Sequence, residues 1–523
     1  MEYRVLTDED DGRLFRVRVL NTGEERIARY HRPDPDSRSK ALRQPLTGLP
    51  RRPPPRPEGQ CGRQGYTSYD HPPPGDAGTS DSIIVSIGTT EGHMISARDR
   101  LEAILASAAA RYEHCVFLKL YPDAARAAAD AADCRHKAGV TLGPLDGKIV
   151  SIKDLFDVAG EPTTAGSVLR RSAAPAQTDA VIVRRLRRAG AVIVGKTNMS
   201  EFAFDALGLN PHYGTPGNAV DATRIPGGSS SGAGVSVAEG TSDIATGSDT
   251  GGSVRIPASF NGVVGFKPTV GRVPLDGAFE LSFTLDSVGP LARTVADCAA
   301  ADAVMAGTEA YARVFPVAGL RVAIPRGLLL EHLDPAVAEA YERSLRQLEA
   351  FGARLIDHAI DDLIAGMSGA TEHGSIASFE GAARHTDWLE TETASTVDPR
   401  TSRVFSQRLT VPAHVYIRMM RLRAELVVTM NERLSAFDVL ALPTTPITAP
   451  VAAPLIRDAD LADQMELQVL RYTYMVNLFG LTAISLPMPD MILPAGLMLI
   501  APGGADRRLL AIAAGVEVAL TRL

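Results

Sequence analysis

Runs of apolar residues with two different periods alternate along residues 95–523. Apolar positions recur at the spacing of an amphipathic helix in four stretches: 95–137, 179–189, 335–351 and 412–436. Short continuous apolar runs, typical of buried strands, lie at 148–152, 190–194, 320–324 and 439–442. This alternation of strands and helices predicts an α/β fold with a mixed or largely parallel sheet.

Residues 1–93 follow a different pattern. Alternation in Phe15-Arg-Val-Arg-Val-Leu20 predicts a small hairpin near the start. Residues 32–80 are dense in Pro, Arg, Asp and Gly, so they bury too little apolar surface to offset the entropy of ordering. We therefore predict a largely disordered N-terminal extension over 1–93 and one folded domain over 94–523. Because the helical pattern begins at Met94, we also hypothesise that translation starts there and that the extension is not part of the native protein.

Composition and charge narrow the class of protein. Hydrophobic residues make up 45% and charged residues 22%, as in an ordinary globular enzyme. The net charge of -7 gives no sign of a basic surface, so we expect neither nucleic acid nor an anionic membrane as a partner. No apolar run approaches the roughly 20 residues of a membrane span, and no signal-peptide pattern follows Met1. We expect a cytoplasmic protein.

The cysteines and histidines do not predict a metal site. Four cysteines are scattered without metal-ligand spacing: Cys61, Cys115, Cys134 and Cys298. We expect them to be reduced thiols, and we expect neither a metal nor a cofactor.

Two segments match known functional motifs but do not indicate a functional site. Gly190-Ala-Val-Ile-Val-Gly195-Lys196-Thr197 fits the phosphate-loop pattern, but its four intervening residues are the predicted strand itself, so no loop is left to bind phosphate. Ser37-Arg-Ser-Lys40 fits the S-x-x-K motif of penicillin-binding proteins and lies in the segment predicted to be disordered.

A third match, Gly228-Ser-Ser-Ser-Gly232, fits the nucleophile elbow of α/β-hydrolases, with Ser230 at its centre. That fold needs a strand directly before the serine, and Arg224-Ile-Pro-Gly-Gly228 is a poor strand. It also needs a catalytic histidine. The downstream histidines carry no marked motif: His332, His358, His373, His385 and His414.

Two segments rich in serine and glycine carry the stronger signal: 226–232 and 246–257. Consecutive N–H groups at Thr250-Gly-Gly-Ser253 can converge on one point and hold an oxyanion. No histidine lies between Tyr213 and Glu331, so the base must come from elsewhere. Lys153 follows an apolar strand, and burial there would lower the pKa of its amine and free it to act as a base.

These segments resemble those of the amidase signature family. The resemblance covers about residues 95–523 and rests on eight motifs: Lys153-Asp154, Gly195–Phe202, Arg224–Gly232, Gly247–Pro257, Gly265–Pro268, Gly289–Arg293, Asp438–Pro443 and Asn477–Gly480. It implies the amidase-signature fold, an α/β fold whose central mixed β-sheet is flanked by helices on both faces. It also implies chemistry without a metal or a cofactor.

The resemblance assigns a role to each residue of the site. Ser253 is the implied nucleophile, Lys153 the terminal base, and Ser229, joined to Gly228 by a cis peptide bond, the serine that bridges them. The backbone of Thr250, Gly251, Gly252 and Ser253 is the implied oxyanion and substrate site. Four further residues are implied to support the site: Ser230 and Ser231 by hydrogen bonds, and Asp249 with Arg255 as a pair that fixes the loop.

The implied function is hydrolysis of a small or medium carboxylic amide to carboxylate and ammonia or amine. Two alternatives stay open: the A subunit of a glutamyl-tRNA amidotransferase, and a non-catalytic binding protein on the same fold. The expected partner is the amide itself, and a homodimer is left open. Residues 486–497 lack the glycine-rich turn usual in the family, so no relative's substrate is carried over. Candidate pocket residues, with core packing as the alternative, are Trp388, Phe379, Tyr416 and Met419.

Overall fold

The computed structural model describes residues 3–9, 14–19, 25–29, 96–111, 114–309 and 313–521. The first three ranges are strands β1 (Tyr3–Glu9), β2 (Leu14–Val19) and β3 (Glu25–Arg29), which form an antiparallel sheet of their own. The predicted hairpin is part of this three-stranded sheet. The predicted disorder of 32–80 and the predicted start at Met94 lie outside the described residues and stay predictions.

The described residues from 96 onward form a second unit, which is described by itself. Its strands are β4 (Phe117–Leu120), β5 (Ile149–Lys153), β6 (Val192–Thr197), β7 (Ile244–Asp249), β8 (Val264–Lys267), β9 (Ser287–Ala292), β10 (Arg321–Ile324), β11 (Arg354–Asp357), β12 (Val439–Pro443), β13 (Thr482–Pro487) and β14 (Gly496–Ala501). Its helices are α1 (Ala97–Ala110), α2 (Pro122–Lys137), α3 (Val181–Arg188), α4 (Ser231–Glu239), α5 (Arg255–Asn261), α6 (Val295–Ala306), α7 (Pro335–Ala350), α8 (Asp361–Ala370), α9 (Ile376–Arg384), α10 (Thr386–Leu389), α11 (Pro399–Leu409), α12 (Ala413–Leu434), α13 (Ala452–Arg457), α14 (Ala459–Leu470), α15 (Thr473–Leu478) and α16 (Asp506–Thr521).

The strands of this unit form one mixed sheet in the order β11-β10-β12-β14-β13-β8-β9-β7-β5-β6-β4. Strand β5 pairs in parallel with β6 and β7, and β10 pairs in parallel with β11 and β12. The remaining pairs are antiparallel. Helices α4, α5, α6 and α16 pack on the central strands. The prediction of an α/β fold with a central mixed sheet flanked by helices is confirmed.

The central strands place the site. Every residue of β5 and of β7 is buried, which explains why β5 has a largely continuous apolar run instead of an alternating one. They run in parallel, with Val150 opposite Ile244. Their carboxyl ends therefore lie side by side, and Lys153 at the end of β5 comes next to the loop that follows β7.

One prediction about the elements is wrong. Residues 95–137 are not helical throughout, because strand β4 separates α1 from α2. This four-residue edge strand pairs with β6, and a pairing so distant in sequence leaves no local period. The phosphate-loop pattern is excluded by the same sheet, since Val192–Thr197 lies entirely in β6. None of the described helices is both long and apolar enough to cross a membrane.

Candidate active site

Lys153 is completely buried at the end of β5. Its Nζ lies 2.8 Å from Ser229 Oγ and 2.9 Å from Ser248 Oγ. Burial lowers the pKa of Lys153 to about 7, although the charges of Asp286 and Asp249 oppose this shift. Near neutral pH a large fraction of the amine is therefore unprotonated and able to accept a proton.

Ser229 lies in the loop before α4 and follows a cis Gly228–Ser229 peptide bond. The Ser200 N–H donates to the Ser229 carbonyl at 3.1 Å, and the Gly228 N–H donates to the Ala206 carbonyl at 2.8 Å. A Cβ on Gly228 would lie 2.5 Å from the backbone nitrogen of Gly208. Only glycine permits this close approach of two backbone segments, which brings Ser229 to the lysine.

Ser253 is the first residue after the glycine pair that follows β7, and it is 7% exposed. Its carbonyl accepts a hydrogen bond of 3.2 Å from the Ser230 N–H, which ties the two serine-glycine segments together. Among the described residues, no hydrogen bond joins the hydroxyls of Ser229 and Ser253; the link between the two segments is this backbone hydrogen bond from Ser230, the residue after Ser229.

The N–H groups of Thr250, Gly251, Gly252 and Ser253 have no acceptor among the described residues. The Gly252 φ of +145° belongs to a backbone conformation that L side chains rarely adopt. Unused N–H donors beside a serine hydroxyl are the arrangement that holds an anionic oxygen.

A buried ion pair supports this loop from behind. The Arg255 guanidinium donates to both carboxylate oxygens of Asp249, at 3.0 and 2.8 Å, and both side chains are completely buried. Arg255 also donates to Asn477 Oδ1 at 2.6 Å and to the Thr473 carbonyl at 3.0 Å. Burial alone would raise the pKa of Asp249, but Arg255 outweighs it and holds the pKa at about 2. This pair is therefore ionised and fixes the start of α5.

Ser230 and Ser231 are buried and make hydrogen bonds of their own. The Ser230 hydroxyl donates to the Ser248 carbonyl at 3.3 Å, and the Ser231 hydroxyl donates to the Asn198 carbonyl at 3.4 Å. No strand precedes Ser230, and its side chain has no histidine partner in the described part of the chain. The geometry of a nucleophile elbow is absent there.

The one buried histidine of the five is His385, which lies in an aromatic cluster with Phe202 and Trp388. It accepts a hydrogen bond from the Trp388 indole at 3.0 Å. Burial and two neighbouring arginines lower its pKa to about 3, so it is neutral. None of the five histidines lines the cleft beside Ser253.

A cleft of about 490 Å³ opens beside Ser253. It is lined by Ala203, Phe204, Asp205, Ala206, Thr250, Gly251, Ser253, Leu281, Ser375, Ala377, Glu466, Leu470 and Tyr474. The four candidate pocket residues named from the sequence, Trp388, Phe379, Tyr416 and Met419, are not among them. They pack in hydrophobic clusters instead, because aromatic and long apolar side chains at helical spacing face the core.

Sequence reasoning missed most of the cleft wall. Tyr474 lies close to the Asn477 motif, and its position three residues upstream was the available signal. Ser375 and Glu466 lie in weakly patterned segments that offer none. Within the described residues, no group of three or more His, Cys, Asp or Glu side chains is placed to hold a metal ion.

Comparisons with known proteins agree with this geometry. Residues 99–510 match the protein family described as Amidase. The chain is 37% identical over 403 residues to 2-amino-5-chloromuconic acid deaminase of Comamonas testosteroni, covering 75% of this chain and 86% of that protein. It is 35% identical over 443 residues to the A subunit of the glutamyl-tRNA(Gln) amidotransferase of Acidothermus cellulolyticus, covering 77% and 87%.

A solved amidase structure superposes with a TM-score of 0.73 at 32% identity, covering 82% of this chain and 96% of that one. The fold, the family match and these relatives agree. The chain belongs to the amidase signature family, and it is a hydrolase that acts on carbon–nitrogen bonds other than peptide bonds.

Proposed function

We propose that this protein hydrolyses a small or medium carboxylic amide to a carboxylate and ammonia or an amine. In this proposal Ser253 is the nucleophile, Ser229 the bridging serine and Lys153 the base. The observation that carries it is the buried Lys153 amine, 2.8 Å from Ser229 Oγ and with a pKa of about 7, beside a serine whose loop has free N–H donors.

The reaction begins when the amide carbonyl carbon lies against Ser253 Oγ. Neutral Lys153 accepts the Ser229 proton while Ser229 takes the proton of Ser253, which attacks the carbonyl carbon. Catalytic hydrogen bonds often tighten only with substrate bound, so the Ser229–Ser253 contact is completed at this stage. The negative charge on the former carbonyl oxygen is held by the N–H groups of 250–253.

The tetrahedral intermediate collapses as the relayed proton passes to the leaving nitrogen. The carbon–nitrogen bond breaks, and ammonia or an amine departs, leaving an ester at Ser253. A water molecule then gives its proton to the same relay and attacks the ester carbonyl. The ester bond breaks, the carboxylic acid leaves, and Ser253 regains its proton.

The test is hydrolysis of a panel of amides that spans acyl-chain length and aromaticity. Ser253→Ala and Lys153→Ala should each lower kcat by about 10³-fold or more, since the relay acts as a unit. Ser368→Ala, at an exposed serine of α8, is the matched control and should change nothing. Full activity in either relay variant would contradict the proposal.

The second candidate is the A subunit of an amidotransferase, and the 35% identity to a protein of that kind favours it. It would be indicated by copurification of a second protein chain, with activity that depends on tRNA and ATP. A non-catalytic protein would instead fail to label at Ser253 with a fluorophosphonate probe. Partner-free amide hydrolysis together with labelling at Ser253 is the outcome we expect.

A further inference from the structure

Asp286 lies behind the candidate oxyanion loop and is absent from the relay. It directly precedes β9, whose Ser287 pairs with Asp249 at the end of β7. The antiparallel register therefore places Asp286 opposite Thr250, the first residue of the loop. Asp286 is 5% exposed and Thr250 is 3% exposed. A carboxylate this deeply buried has to be held by hydrogen bonds or by charge.

Both carboxylate oxygens of Asp286 are used. The Thr250 hydroxyl donates to Oδ1 at 2.5 Å. The backbone N–H groups of Leu281 and Ser282 donate to Oδ2 at 2.9 and 3.1 Å. Leu281 and Thr250 both line the cleft, whereas Asp286 does not. One carboxylate thus joins two walls of the cleft from outside it.

Asp286 closes a turn over residues 281–286, and hydrogen bonds connect this turn to α9 and α12. The Thr284 N–H donates to Glu380 Oε2 at 3.1 Å, and the Ser282 hydroxyl donates to the same carboxylate. The Tyr416 hydroxyl on α12 donates to Glu380 Oε1 at 2.5 Å. A continuous set of hydrogen bonds therefore runs from two outer helices through Asp286 to the oxyanion loop.

We propose that Asp286 is a positioning residue that holds the N–H groups of Thr250–Ser253 in place and whose charge sets the pH range in which Lys153 works. The inference rests on the proposed function, because it concerns the same relay and the same oxyanion loop. Asp286 touches neither the substrate cleft nor the reacting atoms, so it acts through Thr250 and Lys153.

The charge effect follows from burial. Burial raises the pKa of Asp286 to about 6, so the group is still an anion at neutral pH. That anion raises the pKa of Lys153 and opposes the effect of burial on the amine. Two other charges act on this pair: Asp249 on β7 raises the pKa of Lys153, and Glu280 raises the pKa of Asp286. Farther out, Lys267 on β8 acts on Asp249, Asp154 directly after β5 pairs with Lys196, and Glu380 on α9 accepts from the Ser282 hydroxyl.

Two substitutions separate the two roles. Asp286→Asn removes the charge and weakens the hydrogen bond from the Thr250 hydroxyl. We expect the midpoint of the rise in kcat/KM with pH to move to lower pH by about one unit, the scale of a single nearby charge. Thr250→Val removes the hydroxyl and keeps the carboxyl group; the lost hydrogen bond raises the pKa of Asp286, so the midpoint should move to lower pH by less than in Asp286→Asn. In both variants kcat should fall about tenfold or more while KM changes little, because misplaced oxyanion donors cost rate.

Asp276→Asn is the matched control, since it removes an exposed carboxylate charge from the same connection between β8 and β9, and Asp276 is not among the groups that act on Lys153 or Asp286. It should leave kcat and the pH profile unchanged. The readouts are kcat/KM between pH 5.5 and 9 and the rate of fluorophosphonate labelling at Ser253, which needs no known substrate. Circular dichroism reports whether each variant is folded.

The outcomes are distinct. A wild-type protein without labelling at Ser253 contradicts the proposed function itself. Labelling that depends on Lys153 but is unaffected by Asp286→Asn and by Thr250→Val overturns this inference alone. If Asp286→Asn does not fold, Thr250→Val decides the positioning role: a tenfold loss of kcat supports it, and wild-type kcat overturns it.

Discussion

At the scale of single residues, burial decides the chemistry of Lys153. An exposed lysine is protonated at neutral pH and cannot accept a proton. Here the side chain has no contact with solvent, and its two hydroxyl neighbours, Ser229 and Ser248, carry no charge to stabilise the ammonium form. Burial among uncharged contacts therefore favours the neutral amine, and no neighbouring base is needed to take its proton.

The first prediction is a pH profile. Only the unprotonated form of Lys153 accepts a proton, so kcat/KM should rise with pH through a midpoint of about 7 and level off above it. The measurement is kcat/KM for an amide whose own ionisation lies outside pH 5.5 to 9. A rate that falls as pH rises through 7 would assign the relay to a different protonation state.

Arg255 presents the opposite case, since its charge is buried and fully paired. Arg255→Leu removes the cation and leaves the Asp249 carboxylate buried without compensation. The free energy of unfolding should fall by about 3–5 kcal/mol, measured by urea denaturation. The control is Arg326→Ala, because Arg326 pairs with Glu342 while both side chains are about 40% or more exposed. Loss of that pair should cost less than about 1 kcal/mol, and equal effects of the two changes would contradict this account.

At the scale of elements, apolar periodicity predicted some of the strands and helices that make up the core. The predicted strands at 148–152 and 439–442 correspond to β5 and β12, and the predicted helix at 412–436 corresponds to α12. Strand β4 was missed because four residues of an edge strand between two alanine-rich helices carry no period of their own. Its existence depends on β6, more than seventy residues downstream.

The loop before α4 depends on glycines that no periodicity reveals. Gly228→Ala would place a Cβ 2.5 Å from the Gly208 nitrogen and 2.8 Å from the Asp205 carbonyl oxygen, so one backbone segment has to move. A shift of about 1 Å at Ser229 should lower kcat by about 10²-fold. The measurement is kcat together with the labelling rate at Ser253.

Gly369→Ala is the matched control for that change. Gly369 lies within α8, and a Cβ there would meet only Leu422, at an ordinary 3.8 Å. Stability should be unchanged or higher by up to about 1 kcal/mol, because alanine favours the helix more than glycine does. Loss of activity in this variant would show that glycine substitutions act on the protein generally and not through the Ser229 loop.

At the scale of the whole molecule, the sequence located the candidate reacting groups but not the cleft. Lys153, Ser229 and Ser253 lie in short motifs whose chemistry can be inferred from the neighbouring residues. The cleft wall is assembled from segments that are distant in sequence: 203–206, 250–253, Leu281, 375–377 and 466–474. Their meeting is a property of the tertiary fold, and the four aromatic and apolar residues proposed for the pocket were therefore misplaced.

Arg400 joins two of the distant segments around the cleft. It lies at the start of α11 and donates to Asp205 Oδ1 at 3.2 Å and to Asp463 Oδ1 at 2.9 Å. It also donates to Glu466 on α14, whose other oxygen accepts from the Ala206 N–H at 2.9 Å. Burial and the Asp205 charge raise the pKa of Glu466 to about 8, although Arg400 opposes this shift. Two carboxyl groups are thus held close together by one cation.

The last prediction follows from that arrangement. Arg400→Leu leaves the buried Asp205 carboxylate without its cation and removes the hydrogen bond to Glu466, so the 203–206 segment should move away from α14. We expect the free energy of unfolding to fall by about 3 kcal/mol or more and KM to rise more than kcat falls.

Arg403→Leu is the matched control, because Arg403 pairs with Asp463 where both side chains are partly exposed. Adding Asp205→Asn to Arg400→Leu removes the uncompensated carboxylate, so it should restore part of the lost stability. A double variant no more stable than Arg400→Leu alone would contradict this account.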